Sequence, residues 1–272
     1  MYPGFGTLRR ERPTESRLID PVSAIVIVAA GVVAGIMNTI VGAGSLITFP
    51  TLLLLGYPPL VANVSNTIGL VPGAISGSIG YRRELAGQRE RARPLLVAAG
   101  LGGLTGGCLL LVLPPSAFAR IVPVLILIAC GLVAIQPRLT GWVMARRSRA
   151  GTVHHGGGPL LIGGVYLTGI YGGYFGAAQG VILIALLAIL VDDELQRLNG
   201  LKNVIAAVIN AVAAILFIAL APVAWVPAIL LAIGSTIGGQ LGAAVGRRLS
   251  PLALRVAIIV IGVTVAVRLL IG

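Results

Sequence analysis

The sequence predicts an all-α polytopic membrane protein built from two inverted repeats with interrupted, re-entrant helices. Three observations predict it. Of 272 residues, 57% are hydrophobic and only 10% charged, where a soluble domain carries about 25% charged residues. Apolar stretches of about 20 residues recur along the chain, each long enough to cross roughly 30 Å of hydrocarbon. The second half of the chain also repeats features of the first in the same order.

Residues 1–20 form a polar, Arg-containing segment. The apolar stretch that follows, 22–41, runs into a Gly-rich motif with no small-residue cleavage pattern, so it reads as a first membrane helix and not a signal peptide. The next apolar piece, 46–56, is about 11 residues, or roughly 16 Å of helix, half a bilayer. Spans at 60–80, 94–113 and 117–136 complete a first repeat, 21–136. Residues 137–158 read as a cytoplasmic linker. The second repeat, 159–272, holds spans at 159–176, 200–221, 223–245 and 251–271 and a second short piece at 180–191.

The duplication has a period of half the chain. At a shift of 136, Gly102-Gly103-Leu104-Thr105-Gly106 falls on Gly238-Gly239-Gln240-Leu241-Gly242, Pro115-Ser116-Ala117 on Pro251-Leu252-Ala253, and Asn63 on Asn199. At a shift of 134, GIMNTIVGAGSL (35–46) falls on GIYGGYFGAAQG (169–180). Loop charge predicts the orientation. Loop 81–93 carries Arg82, Arg83, Arg89, Arg91 and Arg93, while its counterpart around Ala221-Pro222 carries none. The bare loop at Leu113-Pro114 has a counterpart with Arg247 and Arg248. Equivalent loops of opposite charge density belong on opposite faces, with the Arg-rich ones cytoplasmic. Arg9, Arg10, Arg12 and Arg17 conflict with the external N-terminus this implies.

Each half has a Gly-rich interruption before its short apolar piece: Asn38 to Ser45, containing Gly42 and Gly44, and Gly172 to Gly180, containing Gly176 and Gln179. Irregular backbone at membrane depth is tolerated where it is buried in protein or lines a wet cavity. Helices broken at matched positions point to a transporter site, and their free N–H ends favour anions. The plain alternative is close helix packing through small residues.

A second motif opens the long helix of each half. At about 100° per residue, Asn199, Lys202, Asn203 and Asn210 lie near 0°, 300°, 40° and 20°, on one face. Asn63, Asn66 and Thr67 occupy the same directions as the first three. A polar stripe on a membrane helix faces protein or a cavity. Lys202 is the only lysine among 20 basic residues, the others being Arg. Beside a helix N-terminus it makes an anion site; the alternative is snorkelling to headgroups near Asp192, Asp193 and Glu194. Ser45 and Gln179 are candidate donors to the anion, and Tyr171 and Tyr174 candidate path-lining residues. His154 and His155 read as solvated, and Trp142 and Trp225 as interfacial anchors.

The net charge of +12 follows from loop arginines, so it argues against nucleic-acid binding. Cys108 and Cys130 form no CxxC and read as apolar fillers. No carboxylate sits securely inside a span, so a carboxylate proton relay is not expected, and an anion is expected to leave down the membrane potential without a coupling ion. With no histidine in a span, neither a metal site nor a Ser-His pair is expected, and no cofactor.

The pattern GxxNTIVGAGSLITFPTLLLLGYPPLVANVSNT, echoed as GGYFGAAQG…LNGLKNVIAAVIN, resembles the sulfite exporter TauE/SafE family of membrane permeases over nearly the whole chain. The resemblance implies a multi-pass protein of the bacterial inner membrane with two repeats, moving sulfur-containing or organic anions such as sulfite, sulfoacetate or a sulfonate. It carries Gly42, Gly44, Pro50, Asn63 and Asn66 over from the first motif and Gly176, Gln179, Lys202 and Asn203 from the second. The second glycine of the repeat-two GxG is Ala178, which departs from the pattern. The partners expected are a small anion and the lipid bilayer, with a homodimer left open. The competing readings are a non-transporting scaffold or assembly factor and, last, an intramembrane enzyme, for which no nucleophile–base pair is visible.

Overall fold

A computed structural model of the chain describes residues 20–150, 158–245 and 251–271. Arg9, Arg10, Arg12, Arg17, His154, His155, Arg247 and Arg248 lie outside the described residues, as do the side chains of Trp142, Arg146, Arg147 and Arg149. Among the described residues there are ten helices and no strand: α1 (Pro21–Ile40), α2 (Ser45–Leu54), α3 (Pro59–Gly80), α4 (Arg89–Val112), α5 (Pro115–Ala150), α6 (Gly158–Tyr174), α7 (Gln179–Leu190), α8 (Leu195–Leu220), α9 (Trp225–Val245) and α10 (Pro251–Ile271).

Proline sets several starts. Pro21 follows Asp20, whose side chain accepts from Ser23 N at 3.2 Å, and Pro59 and Pro115 open α3 and α5. Proline at a first helical position loses no hydrogen bond. Helices α4 and α8 begin about a turn earlier than hydropathy suggests, because Arg89 to Arg93 and Leu195 to Asn199 are polar but contain no breaker before Pro94. Helix α5 runs to Ala150, so the first part of the expected 137–158 linker is helix, not loop. Among the described residues five helices, α1, α4, α5, α8 and α9, are long and apolar enough to cross a membrane. The polar stripe of α3 and the 17-residue length of α6 keep those two below that threshold.

Small residues let the backbones close. A Cβ added at Gly35 of α1 would lie 2.4 Å from Ser235 O of α9, and one at Gly106 of α4 would lie 2.0 Å from Ile170 O of α6. Such contacts replace hydrophobic driving force between helices in lipid. Their order gives direction. Gly31 and Gly35 meet Gly234 and Gly238 in turn, so α1 and α9 run parallel. Gly69, Gly73 and Gly77 of α3 meet Leu231, Ser235 and Gly239, so α3 joins them in the same direction. Gly102 meets Gly169 and Gly106 meets Ile170 and Tyr174, while Gly100 and Gly107 meet Val208 and Ala213, so α4, α6 and α8 form a second parallel trio. The two trios run opposite ways. Tyr81, just past α3, meets Asn199 near the start of α8, while Ser65 near the start of α3 accepts from Ala224 N, past the end of α8. Helix α5 packs antiparallel on α10, Cys130 against Gly262 and Gln136 against Arg255.

Candidate functional site

The site forms where the two broken helix pairs cross. Helix α1 stops because Val41 N and Gly42 N both donate to Met37 O at 2.8 Å, with Gly42 at φ +86°. Helix α6 stops the same way: Phe175 N and Gly176 N donate to Tyr171 O at 2.9 and 3.1 Å, with Gly176 at φ +75°. A left-handed glycine is the standard helix stop, because a side chain there meets the backbone. The chain then turns at once into α2 and α7. The next steps differ. Gly44 N donates to Asn38 Oδ1 at 2.7 Å in the first half, whereas Ala178 takes φ +58° in the second. The two interruptions touch: Gly180 N donates to Gly42 O at 3.1 Å, and a Cβ added at Gly42 would lie 2.4 Å from Gly180 Cα.

Beside this crossing lies a cavity of about 20 Å³, lined by Asn38, Thr39, Gly42, Ser45, Ala74, Gln179, Gly180, Lys202, Asn203, Ala206 and Asn210. That volume holds about one water, so a polyatomic anion enters only if the surrounding helices part. Lys202 is 1% exposed, and Nζ donates to Asn38 O and Thr39 O, each at 3.2 Å. Asn203 Nδ2 and Asn199 Nδ2 also donate to Thr39 O, at 3.2 and 3.3 Å. The cation therefore sits on the open carbonyl end of α1, where the helix dipole is negative. Among the described residues no carboxylate pairs with it. Gln179 Nε2 donates to Asn210 Oδ1 at 2.8 Å, and the Ser45 hydroxyl has no partner among the described residues.

The structure thus brings Asn38, Gly42, Ser45, Gln179, Lys202 and Asn203 to one cavity and places Asn199 one turn away. Gly44 and Gly176 belong to the turns and not the lining. Asn63, Asn66 and Thr67 are buried in the other half. Asn63 Nδ2 caps Tyr174 O at 3.1 Å, Asn66 Oδ1 accepts from the Thr48 hydroxyl, and Thr67 Oγ1 donates to Asn63 O at 2.9 Å. The Asn63 and Asn199 side chains play matching parts, each satisfying the last carbonyls of a broken helix. Tyr171 Oη donates to Ala177 O at 2.6 Å, and Tyr174 packs edge-on against Phe118, so neither lines the cavity. Trp225 is half exposed. Asn210 and Ala206 were legible from the α8 face they share with Lys202; the Thr39 carbonyl and Ala74 leave no side-chain signal. Among the described residues no group of His, Cys, Asp and Glu is arranged to hold a metal.

Over residues 27–269 the chain matches the family described as Sulfite exporter TauE/SafE. It is 29% identical over 219 residues to a probable membrane transporter protein of Haemophilus influenzae, covering 80% of this chain and 83% of that one. It is 22% identical over 253 residues to the probable membrane transporter protein YfcA of Escherichia coli K12, covering 93% and 91%. It is 23% identical over 241 residues to the probable membrane transporter protein ORF9 of a Sinorhizobium species, covering 89% and 90%. No solved structure matches it significantly. On this match and this architecture the chain belongs to the sulfite exporter TauE/SafE family and is a multi-pass membrane transporter, not an enzyme.

Proposed function

We propose that the protein exports a small sulfur-containing or organic anion, such as sulfite, sulfoacetate or a sulfonate, and binds it in the Lys202 cavity. One observation carries this reading: a buried lysine, with no carboxylate partner among the described residues, sits where two broken helices cross. An ammonium in a low-dielectric interior without a counter-charge is costly, and two carbonyl dipoles offset only part of that cost. An anion entering between Lys202, Asn203, Gln179 and Ser45 supplies the missing charge. Cavity residues come from both halves, which favours a site at the repeat interface near the bilayer midplane.

The helix directions favour inverted repeats. If α1 to α5 correspond to α6 to α10, each helix of the first trio maps onto one of the second, and the trios run opposite ways. The domain reading remains 21–136, a cytoplasmic linker at 137–158, and 159–272 behind a polar 1–20 segment. Placement is in the bacterial inner membrane, with a homodimer compatible. Export down the membrane potential, worth about 2.3 kcal/mol per charge per 100 mV, needs no coupling ion. The test is flux from proteoliposomes across a panel of sulfur oxyanions, sulfonates and carboxylates. The reading expects potential-driven flux of one class, abolished in Lys202→Met with normal insertion. Flux that is indifferent to Lys202, or that strictly requires a proton or sodium gradient, contradicts it.

A further inference from the structure

A strap lies between the Lys202 cavity and the arginine-rich face. Helix α3 ends at Gly80, and residues 81–88 turn across the start of α8 before α4 begins. Tyr81 is 4% exposed, and its hydroxyl accepts from Asn199 Nδ2 at 2.9 Å. The same Asn199 amide lies 3.3 Å from Thr39 O, the carbonyl that also receives Lys202 and Asn203. Tyr81 and Asn199 therefore form the layer between the Lys202 cavity and that face. The strap packs directly on the start of α8: a Cβ added at Gly200 would make ordinary contacts with Tyr81 Cβ at 3.4 Å and Glu84 Cβ at 3.6 Å.

The strap is fastened at its far end. Arg197 Nη2 donates to Ala86 O at 3.2 Å, and Gln88 Nε2 donates to Arg197 O at 3.1 Å and to Glu84 O at 2.8 Å. Asp193, in the α7–α8 turn, accepts from Arg91 Nη1 and from Arg197 Nε, each at 2.8 Å. Burial works to raise the Asp193 pKa, but the Arg91 hydrogen bond, the Glu194 main-chain N–H and the Arg197 charge outweigh it and hold it below the ordinary 3.8. These fastenings are polar, and of the strap residues Tyr81 is the one buried hydrophobic, with Gln88 buried beside it as a polar group. On the opposite side of the crossing the seal is a packed aromatic block of Phe49, Phe118 and Phe175. Segments with few apolar contacts open at lower free energy than packed ones.

Resting on the reading of this cavity as the anion site, we propose that residues 81–88 are its gate on the arginine-rich face, with Tyr81 as the stopper on Asn199 and the Arg91–Asp193–Arg197 cluster as its latch. Opening releases Tyr81 from Asn199 and exposes the Lys202 end of α8 to arginines 82, 83, 89 and 93, which draw or release anions there.

The test is the rate at which a membrane-impermeant thiol reagent reaches Ala206→Cys in the full-length chain, with Cys108 and Cys130 replaced by Ala, in vesicles that expose the 81–93 loop. Ala206 lines the cavity. Losing the Asn199 hydrogen bond, taken at ordinary strength, raises labelling roughly tenfold in Tyr81→Phe, which keeps the ring. Asp193→Asn, which leaves the core untouched, raises it similarly. Labelling within twofold of the parent in both variants overturns the gate, as does faster labelling only from the other face. Flux lost in Lys202→Met with labelling unchanged in Tyr81→Phe and Asp193→Asn defeats the gate alone. Labelling raised in both while Lys202→Met still carries anions defeats the anion site and keeps the gate.

Discussion

Gly42 makes two separable demands, and three alanine substitutions divide them. Its φ of +86° is left-handed, and a Cβ there would lie 2.4 Å from Gly180 Cα. Gly56 has nearly the same φ, +87°, but nothing lies within 4 Å of its added Cβ. Gly180 is helical, and its Cβ would lie 2.4 Å from Gly42 Cα. Gly56→Ala therefore isolates the backbone strain, about 1–2 kcal/mol. Gly180→Ala isolates the crossing contact, about 1–3 kcal/mol as an overpacking cost that no rotamer relieves, since both clashing atoms are main chain. Gly42→Ala carries both, about 2–5 kcal/mol. Unfolding in mild detergent, titrated with a denaturing detergent, ranks the three. The order expected is Gly42→Ala worst and Gly56→Ala mildest, with flux lost in the first and retained in Gly56→Ala. A Gly42→Ala no worse than Gly56→Ala would show that the two interruptions do not meet, and the site would lose its geometry.

Asn63→Ala removes the donor to Tyr174 O and strands a buried carbonyl, so stability falls by about 1–3 kcal/mol; the thermal midpoint in detergent reports it, and an unchanged midpoint contradicts the capping role. Asp193 has a lowered folded pKa, so its contribution is complete above about pH 3.8 and fades as pH falls through the lower folded value. The midpoint gap between the parent and Asp193→Asn is accordingly widest at neutral pH and narrows near pH 3; a gap independent of pH rules out the ion pairs as its source. In a cysteine-free background, Arg83→Cys and Asp192→Cys are expected to label from one face and Gly56→Cys and Pro114→Cys from the other. Positions 56 and 192 labelling from the same face would exclude the inverted arrangement.

Most of the helical order was legible because hydropathy and glycine spacing are properties of single positions. The interruptions at 41–44 and 175–178 fall inside the motifs that predicted them. The inward face of α8 was legible too: Asn199, Lys202, Asn203 and Asn210 are all buried, as 3.6-residue periodicity requires. What periodicity does not reveal is the partner. The Lys202 ammonium bonds main-chain carbonyls of Asn38 and Thr39, and a carbonyl carries no residue-type signature. Asn66 occupies the position equivalent to Lys202 in the duplicate, yet it is held by Thr48 on α2 and does not line the cavity. The helical extension of α5 was hidden because its polar residues carry no hydropathy signal. Tyr81 was invisible for a similar reason: nothing in its neighbourhood marks it as the cover of a site more than a hundred residues away in sequence.

Whether an anion neutralises Lys202 is answered most directly by ligand-dependent stabilisation of the purified protein. An anion that binds only the folded state adds about 2.7 kcal/mol at a concentration of 100 times its Kd. Removing the buried cation weakens binding by roughly 2–5 kcal/mol, enough to cut that gain to about 1 kcal/mol or less at the same concentration. A transported anion is expected to raise the unfolding midpoint of the native chain and to move that of Lys202→Met by no more than about a third as much. Equal stabilisation of both proteins would place the anion elsewhere and contradict the account.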